Sequence, residues 1–367
     1  MPKISVILPV YNGEKYLSES IESIINQSFI DWELIIVDDC SSDNSIGIIH
    51  NYIIKDNRIK LIRNGTNQKL PKSLNNGFAN AQGMYLTWTS DDNLYDVDAF
   101  KIMSEYLDDN KNEMLVCAKN DYISDDSTYM SIEMKGYDNK LMCKRNCVGA
   151  CFMYRREIIE SIGGYNPEFF LAEDYEYWLR ILFKYKNIGY IDRTLYHYRF
   201  HPMSLTMTRK KDIRVVDAKV HKKYIGEICE FLENDPDLLC EIYFKIVATI
   251  GYDKEVYDIV RKYIQEINIV RNELVKNEMC YIFGAGNIGK KLAKNKKNYV
   301  IAFIDSDFSK VGTYIDGIQV LSIDELKNKE QIPNIILASS INCTYSMLCT
   351  LYSNDIKKCF VNMDYWE

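Results

Sequence analysis

The chain has 367 residues, more than one ordinary domain, and its 47% apolar content is ample for packed cores and excludes global disorder. A formal net charge of −7 argues against general nucleic-acid binding. No run approaches the ~18 apolar residues a membrane span needs, and the N-terminus has no signal-peptide pattern, so a cytosolic protein is expected. In that reducing compartment the 11 scattered cysteines are free thiols. Cys143, Cys147 and Cys151 recur every four residues, but no histidine cluster completes a zinc site, so they read as structural.

Residues 4–10 (I-S-V-I-L-P-V) form a nearly continuous apolar run, as a buried parallel strand does. Pro9 cannot donate to a ladder, so the strand ends there and the backbone opens at Tyr11, Asn12 and Gly13. Leu17, Ile21, Ile24 and Ile25 then mark one face of a helix. A second strand, 32–37, runs into Asp38, Asp39, Cys40, Ser41, Ser42 and Asp43, where Ser42 or Asp43 is placed to cap the next helix. Residues 59–62 read as a third strand and 72–81 as a helix. Gly83 leads into residues 85–93, Y-L-T-W-T-S-D-D-N.

Tyr85, Leu86, Thr87 and Trp88 read as a strand buried on both faces, and two adjacent carboxylates, Asp91 and Asp92, follow it. Side chains alternate direction at a strand end, so the two acids can reach different parts of one ligand. Such a pair suits Mg²⁺ or Mn²⁺ carrying phosphate oxygens. A solvated acidic turn is the competing reading of so short a motif. Strand–helix alternation predicts a parallel sheet covered on both faces, with ligands at the carboxyl ends of the strands. The loops 9–13 and 38–43 and the acid pair all fall at such ends, which favours a site over a turn.

At this point the blocks I-S-V-I-L-P-V-Y-N-G, E-L-I-I-V-D-D-C-S-S-D, T-S-D-D-N and A-E-D-Y-E-Y-W-L-R resemble glycosyltransferase family 2, of the GT-A fold. The resemblance covers about residues 1–205 and keeps the family's block order. It implies that Pro9, Tyr11 and Asp39 border a nucleotide base, with Lys72 nearby. Asp91 would face the ribose or metal, and Asp92 would ligate Mn²⁺ or Mg²⁺ at the diphosphate. The family often has Asp where this chain has Thr89, which leaves the division of labour between Asp91 and Asp92 open. An Asx turn is the structural alternative for Asp39.

Residues 148–154 (V-G-A-C-F-M-Y) read as a strand or wall on the acceptor side, and Gly163 to Pro167 as a turn. A helix starts at 172–180 with Glu173 and Asp174 in its first turn. Acids there complement the helix dipole, and the resemblance makes Asp174 the catalytic base. Residues 196–204 resemble the family's Y-R-x-H-x-x-S segment, where His201 would touch the metal or a phosphate and Arg199 would steady the donor. From 209 to 223 seven basic residues stand against Asp212 and Asp217. A solvated helix face explains them; an anionic membrane surface is the sharper reading.

Residues 279–283 form a strand followed by Gly284, Gly286 and Gly289 in G-x-G-x-x-G register, with a helix from Lys290. A strand at 299–304 ends at Asp305, about where an acid would meet a ribose hydroxyl. Segments 318–320 and 335–338, the latter flanked by Pro333 and Ser339, continue the alternation. A second nucleotide site and a Rossmann-like half-domain kept for packing or dimerisation are both open here.

The expected fold class is α/β: a GT-A nucleotide-sugar-binding domain with a mostly parallel sheet (1–205), a helical connector (206–276) and a small C-terminal Rossmann-like domain (277–367). The expected activity is inverting transfer of a sugar from a nucleotide-sugar, with uridine the favoured base, to a glycan or lipid-linked acceptor in surface polysaccharide synthesis. The expected place is cytoplasmic, peripheral at the inner face of the membrane, with self-association open. A nucleotide-binding regulatory or scaffold protein without turnover is the alternative. A sugar nucleotidylyltransferase would need a Gly- and Arg-rich loop after the first strand, where this chain has Pro9, Val10, Tyr11 and Asn12.

Overall fold

Nine strands build the sheet of the N-terminal unit: β1 (Ile4–Val10), β2 (Trp32–Asp38), β3 (Ile59–Arg63), β4 (Tyr85–Trp88), β5 (Leu94–Tyr95), β6 (Leu115–Ile123), β7 (Tyr129–Met130), β8 (Phe152–Arg155) and β9 (Gly189–Arg199). The computed structural model describes residues 1–130, 136–270, 278–296, 298–329, 332, 334–356 and 358–361. Contacts divide the chain into two units, Met1–Val220 and His221–Glu367. The three-part division at 205 and 276 stays a proposal, and its second boundary lies outside the described residues, as does Pro333.

Strand order in the first unit is β3-β2-β1-β4-β8-β6-β9-β5, with β7 on β6. The first four strands pair in parallel, as their apolar runs predict. Beyond β4 the sheet is mixed, because β8 runs antiparallel to both β4 and β6 while β9 runs parallel to β6. Ile4, Val6, Leu8 and Val10 point to one face and pack with Leu17, Ile21 and Ile24 of helix Leu17–Ile25. Helix Leu70–Phe78 covers the other face with buried Leu74 and Phe78. Covering both faces is what buries β1 and β2 along nearly their whole length, and it leaves only the strand ends open to ligand.

Several element ends shift from their expected positions. The helix expected at 72–81 spans Leu70–Phe78, with Pro71 in its first turn, where a missing N–H is harmless. The strand ahead of the acid pair, by contrast, spans Tyr85–Trp88, as expected. The N-cap of helix Ser45–Ile53 is Asn44, not Ser42 or Asp43, although Asp43 just ahead of it accepts the Ser45 N–H at 3.0 Å.

The second unit holds β10 (Cys280–Phe283), β11 (Val300–Ile304), β12 (Tyr314–Ile315), β13 (Ile318–Leu321), β14 (Asn334–Leu337) and β15 (Phe360–Val361). Their order is β12-β13-β11-β10-β14-β15, and every pair except β12–β13 is parallel. Reading β10 as the first strand gives a doubly wound order whose direction reverses between β10 and β14. Helix Pro236–Ile250 and the 3-10 turn Gln265–Ile269 pack on helix Thr344–Ser353 in the same unit. Among the described residues no helix is long and apolar enough to cross a membrane.

Candidate active site

Asp91 and Asp92 follow β4, where the chain turns toward β5. Asp91 leans on the loop after β1: the Tyr11 backbone N–H donates to its carboxylate. A Cβ at position 13 would lie 2.1 Å from Asp91 Oδ2, so Gly13 is fixed by this approach. Burial, reinforced by the charge of Asp92, pushes the Asp91 carboxyl up to about 8. A nearby cation would reverse that cost, since it favours the charged form.

Asp92 carries the most informative atom. Its Oδ2 meets His201 Nε2 at 2.9 Å, while Oδ1 is buried with no hydrogen-bond partner. An unpaired buried carboxylate oxygen is costly and calls for a ligand. The residues therefore fit a hard divalent cation. Among the described residues no cluster of three or more His, Cys, Asp or Glu side chains forms a complete cage. Two carboxylates with open positions are what a cation shared with substrate phosphates uses.

Arg199 was expected to steady a donor, and the structure gives it a different environment. It is 0% exposed, at the end of β9. Its Nε donates to the Asp92 backbone carbonyl at 2.8 Å, Nη2 to Glu19 Oε2 at 2.9 Å and Nη1 to Ser127 Oγ at 2.8 Å. Its backbone N–H donates to Asn93 Oδ1. With the guanidinium so engaged, Arg199 ties the Asp92 main chain to helix Leu17–Ile25 and to the β6–β7 turn. Thr89, standing where an acid is common, is buried and its hydroxyl bonds the Tyr196 hydroxyl at 2.6 Å, so that position faces the sheet interior.

The base-side loops meet as expected. The Asp39 N–H donates to Val10 O, and Asn12 exchanges bonds with Ser41 and Ser42. Tyr11 is 53% exposed and Pro9 half-buried. Asp39 is buried, accepting from Asn64 Nδ2 at 2.8 Å and from the Gln68 and Lys69 N–H groups at 2.8 and 2.9 Å. It thus fastens the loop before helix Leu70–Phe78. Lys72 is exposed in that helix's first turn.

Asp174 lies in the first turn of helix Glu173–Tyr185. Asn146 Nδ2 donates to its Oδ2 at 2.7 Å, and the Tyr175 N–H donates to its Oδ1 at 2.7 Å. Asn146 is itself oriented, because its Oδ1 accepts from the Val148 and Gly149 N–H groups. Burial raises the Asp174 carboxyl above its ordinary range, while these two donors pull it down. Its neighbour Glu173 turns inward and accepts the Leu171 N–H at 2.7 Å. Leu171 has a φ of 86°, a left-handed conformation that costs a leucine about 1 kcal/mol, so Glu173 braces a strained turn. Burial and the Asp174 charge push Glu173 up to about 8.

Tyr198, unremarked in the sequence, feels the charge of both Asp92 and Asp174, which brings the metal-type acid and the base-type acid within electrostatic reach of one phenol. Residues 148–154, read as a strand or wall on the acceptor side, run into β8 at Phe152, and most of their side chains are buried. Phe152 is buried, 4.5 Å from the Trp178 ring and 5.7 Å from Trp88. Trp88 is half-buried and its Nε1 donates to the Tyr165 hydroxyl at 2.9 Å. Asn146 and Tyr198 could not be found by motif, since Asp174 lies 28 residues from Asn146 and neither Asp92 nor Asp174 is a sequence neighbour of Tyr198.

In the second unit Gly284 has a φ of 109°, and a Cβ at position 289 would lie 1.9 Å from Gly284 O, so both glycines are needed to close the turn. A Cβ at Gly286 would meet open space. Asp305 does not stand free for a ribose. Its Oδ2 accepts from the Ala285 N–H at 2.9 Å and from Lys310 Nζ at 3.3 Å, and its Oδ1 from the Asp307 N–H. The acid holds the glycine turn in place.

Residues 5–163 match the family model described as Glycosyl transferase family 2. Among curated relatives, an uncharacterized glycosyltransferase of Haemophilus influenzae is 39% identical over 142 residues, covering 39% of this chain and 53% of the relative. A Campylobacter jejuni GalNAc(5)-diNAcBac-PP-undecaprenol beta-1,3-glucosyltransferase is 28% identical over 267 residues, covering 68% and 82%. The chain spans only 24% of a Sinorhizobium fredii protein, y4gI, that it matches at 28% identity. The crystal structure of S. aureus TarS 1-349 in complex with UDP-GlcNAc superposes with a TM-score of 0.54 at 16% identity, over 72% of this chain and 85% of TarS 1-349. That likeness establishes the GT-A type of α/β fold.

Proposed function

Since residues 5–163 form a glycosyl transferase family 2 domain, we propose that the chain is an inverting glycosyltransferase that moves a sugar from a nucleotide-sugar to a hydroxyl of a glycan or lipid-linked acceptor. The observation that carries the reading is the buried, unpartnered Asp92 Oδ1 beside Asp91, within electrostatic reach of the same phenol as Asp174. Acids of two kinds are needed on the two sides of a displacement, and their surroundings here differ accordingly.

Asp92 and Asp91 would hold Mn²⁺ or Mg²⁺, which when bound neutralises charge on a leaving diphosphate. The Pro9, Tyr11 and Asp39 loops would frame the base, and His201 and Arg199 would fix the Asp92 side chain and main chain. The acceptor hydroxyl oxygen attacks C1 of the sugar, the C1–O bond to the diphosphate breaks with its electron pair, and the hydroxyl proton passes to Asp174. Asn146 keeps the Asp174 carboxylate aimed and partly offsets the burial that would protonate it. A UDP donor fits the UDP-GlcNAc bound to TarS 1-349, and a lipid-linked acceptor fits the undecaprenol in the name of the Campylobacter relative; a cytoplasmic, peripheral membrane location would place the chain beside such an acceptor. The C-terminal unit is assigned a scaffold or self-association role, because Asp305 is engaged by its own loop.

The test is a calorimetric screen of nucleotide-sugars with and without Mn²⁺. One donor class should bind only with the metal present. A screen in which none binds, or binding is indifferent to metal, would favour the regulatory or scaffold alternative.

A further inference from the structure

The basic run after the site has a structural setting that the sequence could not show. The Thr208 and Arg209 N–H groups donate to Ser204 O and Leu205 O, and the Ile213 N–H donates to Arg209 O. Helix Leu205–Thr208 thus ends at Arg209, and helix Lys210–Lys223 follows directly. Near the end of the second helix Ala218 and Val220 are buried. Lys210, Lys211, Arg214 and Lys219 are exposed, and among the described residues no ion pair engages them. Of the two acids in this stretch, Asp212 is paired with Arg209 and Asp217 is half-buried, near Tyr175.

A solvated helix face would show charges alone. Here large apolar side chains are exposed in the same segment: Phe200 is 43% exposed, Met203 80%, Leu205 48% and Val215 37%. Val215 lies four residues from both Lys211 and Lys219, on one side of the helix. A chain of net charge −7 thus gathers unpaired cations and unpartnered apolar groups in one stretch of 20 residues, 200–219. Water suits the cations but not the apolar groups; a lipid interface with anionic headgroups suits both.

We propose that residues 200–219 dock the protein on an anionic membrane surface, with Phe200, Met203, Leu205 and Val215 entering the interface and Lys210, Lys211, Arg214 and Lys219 meeting lipid phosphates. His201, which holds Asp92, lies inside this segment. Docking therefore sets the acid-pair edge of the sheet at the surface where a lipid-linked acceptor is found. That purpose rests on the transferase reading; the binding itself does not.

The test uses the full chain and co-sedimentation with two vesicle types, phosphatidylcholine alone and phosphatidylcholine with about one third phosphatidylglycerol. Binding should appear on the anionic vesicles at low salt and vanish as ionic strength rises toward ~1 M. Each cation near the surface contributes about fivefold. Replacing Lys210, Lys211, Arg214 and Lys219 together by Gln should then weaken binding at least ~100-fold with an unchanged melting temperature. Met203→Ser with Leu205→Ser should weaken it while leaving the salt dependence. Equal partitioning onto both vesicle types, no binding to either, or an unchanged four-Gln variant overturns the proposal. So does capture by soluble poly-glutamate but not by vesicles, which would mean an acidic protein partner. No outcome depends on donor turnover, so a failed transferase assay and a failed docking assay are told apart.

Discussion

The molecule carries two strand ends of the kind that meet phosphates, one after β4 and one after β10, and they differ in what they leave unmatched. The β10 turn has the fuller motif, with three glycines in register and an acid at the end of β11. Yet its acid is matched from within, Asp305 taking the Ala285 and Asp307 N–H groups and Lys310. The β4 end has a short motif that lacks one acid, but it keeps a buried carboxylate oxygen without a partner and an Asp91 pushed up to about 8. A loop that satisfies itself is finished as structure. One that leaves a buried acid unpaired is unfinished until something binds, and that is the better pointer to chemistry.

The largest effect that would sharpen this contrast is on transfer itself. Asp174→Asn keeps shape and hydrogen bonding but cannot accept a proton, so turnover should fall ~100-fold or more with donor affinity retained. Near-normal turnover in a steady-state assay would remove Asp174 from the mechanism and leave the β4 end as a binding site only.

Next come the glycines of the second strand end. Gly289→Ala forces a methyl against Gly284 O and should cost about 2 kcal/mol in denaturant unfolding. Gly286→Ala opens onto free space and should stay within about 0.5 kcal/mol, with transfer unchanged in both soluble variants. Loss of turnover in Gly286→Ala with stability intact would show that the turn serves the reaction, and the contrast drawn here would fail.

Asn146→Ala should have a smaller, more diagnostic effect. It removes a donor that lowers the Asp174 pKa, so the acid limb of the pH–rate profile should move to higher pH, with turnover near neutrality down ~10-fold. Asn146→Asp should not rescue the profile. A uniform loss at all pH values would assign Asn146 to folding rather than to the base.

The smallest expected effect is on stability against pH. Asp91, Glu173 and Asp174 all hold their protons more tightly folded than unfolded. The folded state then binds more protons between the ordinary carboxyl range and about 8, so stability falls as pH rises through that window and levels off above it. The melting temperature of the ligand-free chain should drop by a few degrees from pH ~5 to ~8. Glu173→Gln should flatten part of the slope, and a melting temperature rising through the window would contradict the burial assigned to these acids. Carboxyls held low elsewhere, such as Glu33 beside Lys60, act below that window.

These effects also mark what the sequence could carry. Apolar runs ending in polar loops placed Pro9, Asp39 and Asp91 at strand ends, because a strand covered on both faces leaves only its ends for ligand. The same logic found Gly284 and Asp305 but could not tell that Asp305 is engaged. The burial of Arg199 was equally out of reach, since Glu19 and Ser127, which fix it, come from elements 180 and 72 residues away. Residues 148–154 were legible as a strand but not in their packing: small and apolar reads alike for a wall and for a core, and Phe152 packs among Trp88, Tyr154 and Trp178. Motif spacing locates backbone turns; which polar atoms are left over is decided by the whole fold.

The central claim is that Asp92 holds a divalent cation needed by a nucleoside diphosphate. It is tested most directly by titrating UDP into the full chain by calorimetry, with Mn²⁺ and with a chelator, for the native protein and for Asp92→Ala. The native chain should bind UDP with Mn²⁺ and lose that binding with the chelator. Asp92→Ala should melt at no lower temperature than the native chain, since it removes an unpaired buried oxygen, and should show no metal-dependent binding. Metal-dependent UDP binding that survives in Asp92→Ala would contradict the account.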